Sequence, residues 1–151
     1  ERCYDVSVLT WEALFQQLQE QGVALEGTIL KTGMVLSGKD HSKQADEMTV
    51  AKETLKGLKK TVPKEIPGIV FLSGGQSARL STVHLNLINQ FKEKKTWLSS
   101  FSYGRGIQQP ALEHWAKHRD DVAGAQKLLV HRAHMNSLAA QGKWTEEAEA
   151  G

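Results

Sequence analysis

Apolar residues fall along the chain in two alternating rhythms. Val8, Trp11, Phe15 and Leu18 recur at helical spacing, and Gly22 follows as a stop. Residues 23–31 are short and apolar, as a buried strand is, and they lead into a loop where Gly33, Ser37, Gly38 and Asp40 lie close together. Met48, Ala51, Leu55, Leu58 and Val62 mark a second amphipathic helix, ended by Pro63, Pro67 and Gly68. Residues 69–72 form a second apolar strand, and Ser73-Gly74-Gly75-Gln76-Ser77 is the sharpest turn signal in the chain. Leu80, Val83, Leu87, Ile88 and Phe91 then supply a third helical stripe. Residues 97–103 are a third strand candidate, closed by Gly104-Arg105. The remainder is helical, with a break at residues 118–121 and a long stretch over 122–141.

Short apolar strands separated by helices predict βα units and a parallel sheet, the α/β class. The strands end at Lys31, Ser73 and Arg105, one crossover apart, and candidate functional residues collect at those ends, where α/β folds place their ligand sites. Three strands do not close a barrel, and a complete (β/α)₈ barrel takes about 250 residues. The pattern by itself leaves a small open sheet and a portion of a barrel both standing. With no repeat, low-complexity tract or second boundary, residues 1–151 are expected to form a single unit.

Composition narrows the function. At 151 residues, 40% hydrophobic and 24% charged, the chain is long and apolar enough to bury a core. A net charge of +2 gives no argument for nucleic acid, and the basic clusters at Lys59-Lys60 and residues 92–95 read as solvated loop or helix-end charges. Cys3 is the only cysteine, so no internal disulfide forms and a cytoplasmic setting is expected. No apolar run has the length to span a membrane. The opening Glu1-Arg2-Cys3-Tyr4 has no signal-peptide pattern and no initiator methionine, which points to a start inside a longer protein.

Three positions carry chemistry. Lys31 ends an otherwise apolar strand; a lysine there sheds hydration and becomes a nucleophile toward carbonyls, or else it leaves the core and snorkels to solvent, the plainer reading. Ser73-Gly74-Gly75 stands between a strand and a helix, where glycines admit an anion to backbone N–H groups, although a tight turn without ligand has the same pattern. In Ser102-Tyr103-Gly104-Arg105 the guanidinium is a phosphate fork or, more simply, a surface ion-pair partner. His131 and His134 lack the partners of a metal site, so no metal is expected, and no GxSxG elbow is present.

Taken in order, these segments resemble class I fructose-bisphosphate aldolases. Leu25-Glu26-Gly27-Thr28-Ile29-Leu30-Lys31, with Met34-Val35, is similar to the family's Schiff-base lysine segment. Thr61-Val62-Pro63 and Gly68-Ile69-Val70-Phe71-Leu72-Ser73-Gly74-Gly75-Gln76-Ser77 resemble its phosphate loop. Leu85-Asn86, Ile88-Asn89, Phe101-Ser102-Tyr103-Gly104-Arg105, Arg132-Ala133, Asn136-Ser137 and Gly142-Lys143 match in sequence. The resemblance implies the C-terminal part of a (β/α)₈ TIM barrel, about three parallel strands with their helices. It implies Lys31 as the imine-forming lysine, and Ser73, Gly74, Gly75, Ser102 and Arg105 as substrate-binding positions, chiefly for phosphate. The implied reaction is the reversible cleavage of fructose 1,6-bisphosphate, a step of glycolysis. No metal or other cofactor is needed, because the protonated imine is the electron sink. The implied partners are a sugar phosphate and further copies of the complete protein.

Two departures stand out. Thr32-Gly33 replace the family's Pro-Asn after the lysine, and Ala78-Arg79-Leu80 replace an acidic run after the phosphate loop. The family's acid/base carboxylates come from earlier strands, which would precede Glu1. The alternative to an aldolase portion is a non-catalytic or degenerate phosphate-binding module. A different Schiff-base barrel, of transaldolase type, fits the order of the motifs less well.

Overall fold

The computed structural model describes residues 1–91 and 95–151. Helix α1, Arg2–Glu20, buries Val8, Trp11 and Phe15, and Gly22 takes the left-handed conformation that stops it (φ 67°). Strand β1 covers only Ile29–Thr32, shorter at its front than the expected residues 23–31. Leu25–Gly27 instead form a 3₁₀ turn, closed by the Gly27 N–H and the Thr28 hydroxyl on the Ala24 carbonyl (3.2 and 3.0 Å). Helix α2, Glu47–Thr61, is capped by Asp46, whose carboxylate accepts from the Thr49 N–H at 2.8 Å. Strand β2 (Gly68–Phe71), helix α3 (Ala78–Gln90), strand β3 (Leu98–Phe101) and helices α4 (Arg105–Lys117), α5 (Val122–Ala140) and α6 (Glu146–Ala150) follow. The break expected at residues 118–121 separates α4 from α5.

The three strands are parallel in the order β1-β2-β3, with Lys31 level with Val70 and Val70 level with Ser100. Period-2 alternation then sorts their side chains. Leu30, Ile69, Phe71 and Ser99 are buried under the helices, whereas on the opposite face Ile29 and Leu98 are 63% and 82% exposed. A doubly wound sheet carries helices on both faces. Strands that follow one another in order with one face bare are wound in a single direction, as consecutive units of a barrel are.

The core joins Trp11 and Phe15 of α1 to Leu55 and Leu58 of α2, Ile69 and Phe71 of β2, and Leu85 and Ile88 of α3. Gly57 makes that contact possible: a Cβ there would lie 2.8 Å from the Trp11 ring. The indole N–H of Trp11 donates to the Thr32 hydroxyl at 2.8 Å, tying α1 to the end of β1.

The third helical stripe is broader than expected: Ile88 is in the core and Val83, Leu87 and Phe91 pack against it, but polar residues are buried as well. α3 buries Ser81, Thr82, His84, Leu85, Asn86 and Ile88, while Leu80, Val83 and Leu87 are only partly covered. The reason is enclosure: α3 packs against α2, α4, α5 and β3, so polar residues are buried too and need partners. Thr82 donates to the side-chain amide oxygen of Asn136 at 2.9 Å and accepts from Arg132 at 2.6 Å; Asn86 bonds both backbone groups of Trp144 at 3.0 and 3.3 Å. Buried Arg132 is also paired with Glu149.

Of the basic cluster at 92–95, residues 92–94 lie outside the described residues. Lys95 is not a solvated charge: its ammonium donates to the Ile88 carbonyl at 2.9 Å and to Asn89 at 3.3 Å, at the end of α3. Burial there lowers its pKa. Lys59 and Lys60 stand in the last turn of α2, as positive charge at a helix C-terminus should. Among the described residues no helix is long and apolar enough to cross a membrane.

Candidate functional site

The site is built where strands hand over to helices. Lys31 is the third residue of β1 and shares the bare face with Ile29. It is exposed, because the apolar residue beside it in β1, Leu30, points to the covered face. The desolvation that an apolar strand promised the amine is therefore not supplied by this chain. The loop beyond it is held despite Gly33: Met34 and Val35 are buried, and the Val35 N–H donates to the Thr54 hydroxyl at 2.9 Å.

The sheet ladder extends one residue past β2, the Leu72 N–H donating to the Thr32 carbonyl (2.9 Å) and the Ser102 N–H to the Phe71 carbonyl (2.8 Å). Gly74 and Gly75 then adopt left-handed φ values of 61° and 82°, a conformation that costs an ordinary residue about 1–2 kcal/mol. The Gln76 N–H closes the turn on the Ser73 carbonyl at 3.1 Å, and Ser77 caps α3 by accepting from the Leu80 N–H at 3.1 Å.

α4 begins at Arg105 with no side-chain cap on its N-terminus. Two features bring this end to the turn. Tyr103 is buried and donates to the Ser81 carbonyl at 2.8 Å; the burial pushes its phenol pKa up and keeps it a donor. Gly106 lets the first turn of α4 settle against Ser73 and Ser81, since a Cβ there would lie 3.1 Å from Ser73 Cβ and 3.2 Å from Ser81 Oγ.

Between the starts of α3 and α4 lies a cleft of about 460 Å³ lined by Gly75, Gln76, Ser77 and Ala78 on one side and Arg105, Gln109, Pro110 and Glu113 of α4 on the other. The cleft lies at the starts of two helices, where the dipoles have their positive ends, and Arg105 is among its lining residues, a suitable setting for an anion.

The candidate residues divide accordingly. Gly75 and Arg105 share the cleft, Gly74 is exposed beside it, Ser73 is buried under it against Gly106, and Ser102 is half-buried at the end of β3. Lys31 stands apart, level with Ser100 two strands away. That is about 10 Å across the sheet, and about 7 Å below Ser102 along the strand direction. Tyr103, Gly106, Gln76 and His84 hold the site together and were not singled out for that role from sequence. Only Gly106, directly after Arg105, left a signal, a small residue where a helix starts. Among the described residues no group of three or more His, Cys, Asp or Glu is placed to hold a metal ion.

Comparison with known proteins bears on the family of the chain and on its fold. Residues 1–151 match the family model of fructose-bisphosphate aldolase class-I. A probable fructose-bisphosphate aldolase class 1 of Xanthomonas axonopodis pv. citri is 52% identical over 145 residues, covering 95% of this chain and 43% of that protein. A cytosolic fructose-bisphosphate aldolase of Arabidopsis thaliana is 42% identical over 151 residues, covering 100% of this chain and 38% of its own. Fructose-bisphosphate aldolase from Plasmodium falciparum, solved in a ternary complex with TRAP and a small-molecule inhibitor, superposes with a TM-score of 0.90 at 41% identity. That overlap covers 96% of this chain and 42% of the Plasmodium one. The chain thus spans about two-fifths of the length of the relatives it matches.

Proposed function

This chain belongs to the class I fructose-bisphosphate aldolase family, and from that premise we propose that it supplies the imine-forming lysine and one phosphate grip of an enzyme that reversibly cleaves fructose 1,6-bisphosphate. The observation that carries the reading is the shared cleft of Arg105 and Gly75 between two helix N-termini, on the same sheet edge toward which Lys31 and its strand run. The long lysine side chain and a triose phosphate together bridge the interval between them.

In this reading the neutral amine of Lys31 attacks the C2 carbonyl of the open-chain sugar, and loss of water leaves a protonated imine. The C3–C4 bond then breaks, its electron pair moving toward the imine nitrogen to give an enamine. The proton of the C4 hydroxyl passes to a base, and glyceraldehyde 3-phosphate leaves. Protonation of the enamine at C3 and hydrolysis of the imine release dihydroxyacetone phosphate and restore the amine. The base and acid belong to other parts of the enzyme. Arg105 and the N–H groups of the Ser73-Gly74-Gly75 turn, with Ser102, hold the phosphate throughout, so they anchor C2 beside Lys31. The complete enzyme is a (β/α)₈ barrel whose remaining strands cover the bare face and strip water from the lysine. It is cytoplasmic, associates with copies of itself, and uses no metal or other cofactor.

A second reading applies to residues 1–151 by themselves, and the exposure of Lys31 favours it. The isolated chain holds phosphate in the cleft without turning substrate over. Both readings meet one experiment. In the full-length enzyme Arg105→Ala weakens the affinity for dihydroxyacetone phosphate by about 1.5–3 kcal/mol, the scale of a charged hydrogen bond. The chain 1–151 binds the same ligand with little aldol cleavage. Unchanged affinity in Arg105→Ala would remove the phosphate grip. Turnover by the isolated chain at the rate of the complete enzyme would remove the second reading.

A further inference from the structure

The Ser73–Gln76 turn is packed at its base and open at its tip. Ser73 is buried, and a Gly74 Cβ would lie 3.3 Å from Leu72 Cδ1, whereas among the described residues beyond its chain neighbours no heavy atom lies within 4 Å of where a Gly75 Cβ would be. The side chain of Gln76 adds a further restraint. Its amide Nε2 donates to the Ser73 carbonyl at 2.9 Å, a second closure of the turn beside the backbone one. The same nitrogen lies 3.8 Å from the sulfur of Met34, so the amide also touches the loop that follows Lys31.

A glutamine side chain is long and loses much rotamer freedom when it is held. Here its far oxygen is secured by a residue from two turns into α3: Gln76 Oε1 lies 2.6 Å from His84 Nδ1. With the amide nitrogen turned toward a carbonyl, the oxygen faces the ring, so His84 carries its proton on Nδ1 and donates. The imidazole is only 2% exposed, and its buried Nε2 has no hydrogen-bond partner among the described residues. Gln76 is thus the hydrogen-bond partner found for the ring. Desolvation lowers the histidine's pKa, with the charge of Glu47 opposing, which favours the neutral form that this hydrogen bond uses.

We propose that His84 is a positioning residue for the phosphate turn. It donates to Gln76, and the clamped amide holds the Ser73 carbonyl so that Gly74 and Gly75 present their N–H groups in one fixed arrangement. The inference rests on the reading that this turn binds phosphate. His84 touches no substrate and acts only through Gln76.

The test uses the full-length enzyme and its affinity for inorganic phosphate, read as competitive inhibition of fructose 1,6-bisphosphate cleavage, together with KM and kcat. His84→Leu removes the donor at similar volume, and Gln76→Met removes the clamp from the less buried side. His84→Asn restores a donor the same number of bonds from Cβ as Nδ1. We expect His84→Leu and Gln76→Met each to weaken phosphate binding and raise KM about tenfold, the scale of one hydrogen bond, with kcat little changed. The double variant should bind no more weakly than Gln76→Met alone, and His84→Asn should recover most of the loss. If His84→Leu does not fold, Gln76→Met and His84→Asn decide the matter. Unchanged phosphate affinity in Gln76→Met, or additive losses in the double variant, would overturn the proposal while Arg105→Ala still weakened binding. If Arg105→Ala leaves phosphate affinity unchanged as well, the underlying assignment of the cleft has failed.

Discussion

The two faces of the sheet are made from alternate residues of the same three strands, yet they have opposite fates. Leu30, Ile69 and Phe71 are buried under α1, α2 and α3, whereas Ile29 and Leu98, just as apolar, face outward at 63% and 82% exposure. Hydropathy does not distinguish them. The side on which the crossover helices land does, and in consecutive parallel units every crossover lands on the same side. The other face is left for whatever lies beyond these three units, further strands or another chain, to cover. Stability is therefore concentrated on one face, while Lys31, the residue with the most chemistry in it, stands on the other.

The sharpest way to break this contrast is to empty each face in turn. In the chain 1–151, Phe71→Ala should cost about 3–5 kcal/mol in a urea melt, because a fully buried ring leaves a cavity in the shared core. Leu98→Ala should change stability by less than about 0.5 kcal/mol, the usual range for exposed positions. Similar losses would mean that the bare face is covered in solution.

A second expectation concerns that bare face as a contact surface. Exposed apolar residues beside unpaired strand edges favour association between chains. Sedimentation of the chain 1–151 should show self-association, and Ile29→Lys combined with Leu98→Lys should shift it toward monomer. A monomeric parent chain would count against the open sheet.

The smallest effect lies under the covered face, at His84. Its pKa in the folded chain is lowered from the ordinary 6.5. Above that value both states are neutral and the histidine contributes no pH dependence. Below it the unfolded chain takes up a proton that the folded chain refuses, so stability falls as the pH drops, until the buried ring protonates as well. Unfolding midpoints measured from about pH 7.5 to pH 5 should show this decline in the parent and lose it in His84→Asn. Asp46 and Asp121, whose carboxyls are held below the ordinary 3.8 by hydrogen bonds at helix starts, act in a separate window. Their contribution is lost only as the pH falls below about that value.

Much of the fold was legible in the sequence because its punctuation is local. Gly22, Pro63, Pro67 and the Ser73-Gly74-Gly75 turn divide helical from strand-like runs, and the helices and strands expected between them are present, with β1 and β3 shorter than the expected 23–31 and 97–103. The front of β1 misled because residues 23–28 are apolar enough for a strand while Ala24 and Thr28 close a turn by hydrogen bonding. α3 misled for a different reason. An amphipathic stripe presumes one wet face, and a helix enclosed on several sides buries Thr82, His84 and Asn86 along with Leu85.

The candidate site divides in the same way. Gly75 and Arg105 carry local signals, a glycine turn and an arginine expected at a strand end that in the structure opens α4, and both line the cleft. The exposure of Lys31 depends on which side the helices cover, and the Gln76–His84 hydrogen bond on how a loop folds back over a helix. Neither has a spacing that a sequence displays.

The most direct measurement traps the imine. Full-length protein incubated with dihydroxyacetone phosphate and reduced with borohydride should carry one covalent adduct, and peptide mapping should place it on Lys31. Lys31→Arg should abolish both the adduct and aldol cleavage. An adduct on another lysine, or labelling undiminished in Lys31→Arg, would contradict the assignment of Lys31 as the nucleophile.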